Sequence, residues 1–167
     1  MKRMAGVFLV LAMLVSANAL ASDDPRVDAK AAFERKDYAE AAKLIEPLAS
    51  QGDAAAQFNL GVLYINGQGV ERNAATAASW FDKAARQGNA LAQLNLGILF
   101  REGMGVEKDL PRAYMWLDMA VPGLHGDDNQ QAVRHRRELS KEMTAEQMQE
   151  ALDMIDNCQQ VGVKNCD

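Results

Sequence analysis

The stretch that decides the fold is residues 54–71, AAAQFNLGVLYINGQGVE, which recurs at residues 90–107 as ALAQLNLGILFREGMGVE. The spacing is 36 residues, and it continues past the quoted stretch, because Ala77, Trp80 and Phe81 have counterparts at positions 113, 116 and 117. The same offset runs backwards to positions 41, 44 and 45. So many matches at one offset indicate an internal repeat, and a period of roughly 20 to 50 residues is typical of solenoids.

The repeat pattern predicts a first helix in each unit, near residues 54–66 in the first of the two quoted stretches. Ala56 and Leu60 lie four residues apart, the spacing that places side chains on one helix face. Gly61 lies inside this helix, where glycine costs about 1 kcal/mol relative to alanine. Gly97 repeats that cost in the next unit. A neighbouring helix is therefore expected to pack too close to these positions for a side chain.

A second helix is predicted near residues 74–87, after a glycine-rich loop. Gly67 and Gly103 suit the left-handed residue that ends many helices. The positions expected to be buried in the second helix are Ala77, Trp80, Phe81 and Ala84.

The order A-x-A-Q-x-x-L-G-x-x-Y/F-x-x-G-x-G-V, followed by A-x-x-W-F/L-x-x-A, resembles the Sel-one-like repeat (SLR) family, a relative of the tetratricopeptide repeats. The resemblance implies an all-α fold, a right-handed solenoid of antiparallel helix pairs that serves as a docking surface for proteins or cell-wall-related ligands. Residues 54–89 and 90–125 match almost fully. Residues 22–53 resemble a leading tetratricopeptide-like helix pair without the glycine loop.

Residues 126–167 depart from the repeat and predict capping helices. Residues 127–141 are polar almost all round, as the outer face of a terminal unit must be. Thr144 and Gln147 form the sequence of a capping box, which predicts a last helix with Met148, Leu152 and Ile155 on one face. A disulfide-closed tail is expected to follow.

The N-terminus predicts export. Lys2 and Arg3 precede an apolar run at residues 6–15, and residues 19–21, Ala-Leu-Ala, fit a signal-peptidase site. Removal of signal peptide 1–21 leaves 146 residues with 16 basic and 23 acidic side chains, no integral membrane segment, and a net charge that disfavours nucleic acid. We therefore expect a periplasmic or secreted monomer, in which an oxidising compartment joins Cys158 to Cys166.

The sequence predicts no catalytic, cofactor or metal site. None of the serines after the signal peptide has a lysine three residues on, as serine acylases require. His125 and His135 have no motif of metal-binding spacing around them. The main functional hypothesis is therefore a scaffold that binds a protein or peptide in envelope assembly, signalling or regulation. The alternatives are a hydrolase or binder of cell-wall or β-lactam ligands, and a secreted effector that meets host proteins.

Two surfaces are candidate binding sites. The first is a second apolar stripe along the first helices, interpreted either as core between repeats or as a partner-binding groove; its members are Phe58, Val62, Ile65, Leu94, Ile98 and Arg101. The second is a basic face on the cap, formed by Arg134, Arg137 and Lys141 at i, i+3, i+7 spacing. This face would receive an acidic partner.

Overall fold

The computed structural model describes residues 24–166, and the predicted signal peptide at residues 1–21 lies outside them. Over the described range the chain forms eight α-helices and two short 3-10 turns. The helices are α1 (Pro25–Glu34), α2 (Tyr38–Ser50), α3 (Ala54–Asn66), α4 (Ala74–Ala85), α5 (Ala90–Glu102), α6 (Leu110–Ala120), α7 (Gly126–Glu142) and α8 (Ala145–Val161). None of the helices described is both long and apolar enough to cross a bilayer.

The ends of the repeat helices follow from local side-chain chemistry. Asp53 and Asn89 precede α3 and α5, and each side chain accepts a hydrogen bond from a backbone N–H in the first helical turn. Both helices end at a glycine in the left-handed conformation, with φ of 65° at Gly67 and 69° at Gly103. The predicted bounds of the first helix and its glycine cap are therefore confirmed.

The helices stack as an α-solenoid. Helices α1 and α2, α3 and α4, and α5 and α6 form three hairpins, and each hairpin also packs on the next. Helix α7 lies against α6 and α5, while α8 lies against α6. The all-helical solenoid predicted from the repeat is confirmed, with α7 and α8 closing its C-terminal end.

The two helical glycines mark close helix–helix contacts, as predicted. A Cβ atom added to Gly61 would lie 2.6 Å from the Phe81 ring. At Gly97 the added atom would lie 2.8 Å from Leu117 Cγ. Since Phe81 and Leu117 are fully buried, neither has room to move aside.

A second pair of glycines joins consecutive hairpins through their backbones. A Cβ on Gly69 would lie 2.3 Å from the Tyr38 carbonyl, at the start of α2. The repeat-equivalent Gly105 meets the Ala74 backbone at the start of α4 at the same 2.3 Å. Each glycine loop therefore packs against the start of the second helix of the preceding hairpin.

The two tryptophans occupy equivalent helix positions but differ in burial. Trp116 is 2% exposed in a core cluster with Ile155 and Cys158 of α8, whereas Trp80 is only half-buried. The Lys83 ammonium lies 4.0 Å from the centre of the Trp80 ring. The expectation that Trp80 is buried was wrong, because α8 covers the second repeat and not the first.

The C-terminal end confirms two predictions and corrects a third. The capping box of Thr144 and Gln147 is present, and Cys158 and Cys166 form a disulfide with a Cα–Cα distance of 4.9 Å. Leu152, however, is 46% exposed. Ile155 is buried as predicted, but the buried face of α8 continues to Ala151 and Cys158 and does not include Leu152.

Candidate functional site

The apolar stripe of α3 serves mainly to stack one repeat on the next. Phe58, Val62 and Ile65 are half-buried and pack against the cluster to which α5 contributes Leu96 and Leu99. The Phe58 and Phe81 rings lie 5.9 Å apart, centre to centre. The stripe therefore contributes apolar burial between consecutive first helices.

The stripe of α5 is covered in turn by α7. Leu94 is 3% exposed and shares a cluster with Leu139 of α7, and Ile98 packs against the same cluster. The interpretation of Leu94 as part of an accessible groove was wrong. It failed because α7 continues the stack as a further first helix: α3, α5 and α7 begin at residues 54, 90 and 126, which keeps the 36-residue spacing.

Arg101 ends the α5 stripe and binds α7 through charge. Its guanidinium forms a salt bridge with Glu142, lies 3.5 Å from Glu138, and lies 3.3 Å from His135 Nδ1. The hydrogen bond to Glu142 raises the pKa of Arg101, while burial and then the Arg101 charge lower the pKa of His135. Arg101 is therefore a structural contact between helices, which corrects its assignment to a free groove.

The predicted basic face is present on α7. Arg134, Arg137 and Lys141 are all exposed, and none forms a salt bridge with another residue of the range 24–166. The neighbouring Arg136 turns the other way and pairs with Asp118 of α6.

An open groove lies at the other end of the array, between α1 and α3. It encloses about 380 Å³, and its apolar lining comes from α1, α2 and α3: Ala29, Phe33, Ile45, Leu48, Ala55 and Ala56. Polar side chains form its rim: Arg26, Lys30, Glu34, Asp53 and Asn59. An apolar concavity of this size with a few polar groups is typical of a ligand site.

The groove is open because α1 lacks two of the three apolar residues that form the stripe of α3. The loop between α1 and α2 is four residues shorter than the loop between α3 and α4. Helix α1 therefore aligns with α3 at an offset of 32 residues instead of 36. This offset places the end of α1, Glu34, at the end of α3, Asn66. At this offset Arg26 and Lys30 stand where α3 has Phe58 and Val62. The two apolar side chains that fill the next interval are therefore absent here.

Asp53 fixes the rim of the groove. Its carboxylate accepts hydrogen bonds from the Ala56 backbone N–H at 2.9 Å and from Arg26 Nε and Nη2 at 3.0 and 2.8 Å. The Ala56 bond is the main cause that lowers the pKa of Asp53, followed by the Arg26 bond. One side chain thus caps α3 and holds Arg26 at the rim of the groove.

The sequence analysis predicted neither this groove nor the contacts that α8 and the C-terminal tail make with the second repeat. Met115 is 1% exposed, and its sulfur lies 3.5 Å from Cys158 Sγ. The Cys166 carbonyl accepts a hydrogen bond of 2.6 Å from Arg86, the residue that follows α4. A signal was present, because Met115 occupies the position of the exposed Ser79 one repeat earlier.

Within residues 24–166 no group of three or more His, Cys, Asp or Glu side chains is arranged to hold a metal ion. His125 is exposed, and His135 lies in the contact between α5 and α7.

Comparisons with known proteins agree with this architecture. A family model described as the Sel1 repeat matches residues 28–53, 54–89 and 90–121. None of the curated proteins compared matches the chain.

Several solved structures are similar to this chain, and two of them are described here. One is a protective antigen of uropathogenic Escherichia coli strains displaying an SLR fold, with 33% identity, a TM-score of 0.72, and coverage of 81% of this chain and 30% of that one. The other is a Sel1 repeat protein from Oxalobacter formigenes, with 34% identity, a TM-score of 0.59, and coverage of 64% and 43%. The chain thus spans less than half the length of either relative. Three matched repeats over most of the helical array show that this chain belongs to the Sel1 repeat family.

Proposed function

We propose that this protein is an exported interaction scaffold, without catalytic activity, that binds an apolar segment of a protein partner in the groove between α1 and α3. The observation that carries the proposal is the contrast between two equivalent intervals. The interval between α3 and α5 is filled by Phe58 and Val62, whereas the interval between α1 and α3 presents the half-buried Phe33 and Leu48 to a cavity of about 380 Å³.

The lining of the groove suits side chains of a protein segment. Its floor is apolar, so an inserted aliphatic or aromatic side chain gains about 25 cal/mol for each Å² removed from water. The Asn59 amide, on the rim, makes no hydrogen bond with other residues of the range 24–166 and is available to a partner backbone. An amphipathic helix or an extended peptide meets both requirements.

A substitution that fills the groove tests the proposal without weakening the fold. Ala55 is exposed, is the second residue of α3, and lines the groove. Ala55→Leu should place a leucine over the floor. The matched control is Ala75→Leu, at the exposed second residue of α4, outside the groove.

The assay is selection of a displayed random-peptide library on the immobilised protein. Peptides enriched on the parent protein should bind Ala75→Leu equally and Ala55→Leu at least tenfold more weakly. Circular dichroism should give both variants the parent's helix content. The proposal fails when no peptide is enriched over a blank surface, or when the enriched peptides bind Ala55→Leu as tightly as the parent.

Compartment is part of the proposal. The disulfide between Cys158 and Cys166 supports an oxidising compartment, and residues 1–21 have the pattern of a cleavable signal peptide. Cell fractionation with mass determination of the mature chain separates a periplasmic protein from a secreted one. Detection of the uncleaved chain in the cytoplasm would contradict export.

A second candidate function is a secreted role in contact with a host. It is favoured by the similar Escherichia coli protein, which is described as a protective antigen. Recovery from culture supernatant rather than periplasm would favour this candidate. The third possibility, β-lactam hydrolysis, is tested on the same preparation by turnover of nitrocefin, and the scaffold proposal expects none.

A further inference from the structure

Helix α7 ends the stack of first helices with an unusual surface. By the 36-residue spacing, Ile98 and Arg101 of α5 correspond to Arg134 and Arg137 of α7. In α5 these positions receive the following first helix. In α7 the same positions are exposed and cationic, on a chain whose formal net charge is −5. We call Arg134, Arg137 and Lys141 the basic stripe.

Helix α8 carries a complementary surface. Glu146, Glu150 and Asp153 are exposed and line a shallow depression along α8, together with Gln149, Met154 and Asn157. None of the three carboxylates forms a salt bridge with another residue of the range 24–166, although Asp153 accepts a hydrogen bond from Gln149 at 2.8 Å. We call Glu146, Glu150 and Asp153 the acidic stripe.

The two stripes match in spacing when the helices run antiparallel. Along α7 the cations lie at steps of three and four residues, from 134 to 137 to 141. Read backwards along α8, the carboxylates also lie at steps of three and four residues, from 153 to 150 to 146. The first and last residues of each stripe are seven positions apart, or about 10 Å at 1.5 Å per residue. A parallel arrangement reverses the order of the steps and puts the middle pair out of register.

The two helices of one chain do not satisfy each other. Both pack on α6, and the charges of both stripes remain exposed and without a salt bridge in the described structure. The charges of both stripes are therefore free to pair with those of another molecule. A second copy of the chain supplies them in the required order.

We propose that the protein self-associates through antiparallel pairing of the basic stripe of one copy with the acidic stripe of another, with Arg134 facing Asp153, Arg137 facing Glu150 and Lys141 facing Glu146. A two-fold axis makes the contact twice, which closes a dimer. The association is weak and salt-sensitive, because exposed ion pairs are individually weak and screened.

The test uses sedimentation equilibrium of the protein purified after export, at low and at high salt. The weight-average mass at low salt should rise from that of a monomer toward twice that value with concentration, and high salt should abolish the rise. Reversal of the basic stripe (Arg134→Glu, Arg137→Glu, Lys141→Glu) should abolish association. Reversal of the acidic stripe (Glu146→Lys, Glu150→Lys, Asp153→Lys) should do the same.

The combination of variants excludes misfolding as the cause. A chain with both stripes reversed should associate as the parent does, and an equimolar mixture of the two single-stripe variants should form mixed dimers. The proposal is overturned when the parent stays monomeric at low salt over the whole concentration range. It is equally overturned when association survives reversal of one stripe, or when double reversal fails to restore it.

Discussion

The glycine loops offer the most direct test of how the hairpins are joined. Gly69 has a φ of +71°, and a Cβ there would lie 2.3 Å from the backbone carbonyl of Tyr38. Gly52 has a φ of +97°, yet an added Cβ would meet nothing within 4 Å. Alanine at either position adopts an unfavourable backbone conformation, but only at Gly69 does it also displace a neighbouring hairpin.

The magnitudes follow from these two differences. The left-handed conformation costs an alanine about 1–2 kcal/mol, so Gly52→Ala should lower the free energy of unfolding by that amount. Overpacking adds about 1–3 kcal/mol, and a backbone obstacle puts Gly69→Ala at the upper end, for a total of roughly 3–5 kcal/mol. At roughly 2–4 °C per kcal/mol for a domain near this size, the two melting temperatures should differ by about 5–10 °C.

Thermal and urea denaturation followed by circular dichroism measure both variants. Gly105→Ala, at the repeat-equivalent position, should reproduce the loss seen at Gly69, because it meets the Ala74 backbone at the same distance. Equal losses for Gly52→Ala and Gly69→Ala would refute the reasoning, since they would show that the loop does not press on the preceding hairpin.

Three further predictions concern the core, the tail and pH. Gly61→Ala should lower the free energy of unfolding by about 1 kcal/mol, because overpacking against Phe81 exceeds the gain of about 1 kcal/mol in helix propensity; a raised melting temperature would contradict the close contact. Replacing both Cys158 and Cys166 with serine should lower the free energy of unfolding by about 2.5 kcal/mol, the loop entropy of the disulfide. It should also shift the fluorescence of Trp116, which can be measured by itself in a variant that lacks Trp80. Burial and the charge of Arg101 lower the pKa of His135 in the folded chain below its ordinary value of 6.5. Between the folded pKa and 6.5, the unfolded chain therefore binds more protons than the folded chain does. Stability should therefore fall as the pH drops from 6.5 toward the folded pKa and then level off, and His135→Gln should flatten that slope in urea titrations.

Much of the fold was predictable because its causes are local and repeated. The capping side chains at Asp53 and Asn89 and the glycine ends at Gly67 and Gly103 recur at one offset, so helix bounds could be assigned from the sequence. The spacing of Gly61 and Gly97 predicted close packing for the same reason. In each case the physical requirement lies within the repeat that carries the residue.

The burial of particular side chains was less predictable because it depends on what lies across them. Trp80 and Trp116 are identical in sequence position within the repeat, yet only Trp116 is covered by α8. The only sign of α8 in the repeat sequence is the difference between Ser79 in the first repeat and Met115 at the equivalent position of the second. An exposed serine and a buried methionine at equivalent places indicate that something packs on the second repeat alone.

The open groove was missed because its cause requires two alignments at once. Second helices align at 36 residues, whereas α1 aligns with α3 at 32, because its loop is shorter. A single offset therefore hides the fact that Arg26 and Lys30 replace Phe58 and Val62. When first helices are aligned at 32 residues for α1 and at 36 residues for the others, one pattern describes all the first helices. Apolar stripe residues build core between first helices, Arg101 makes an ion-paired contact, and charged residues replace stripe residues in α1 and α7, at the two ends of the stack.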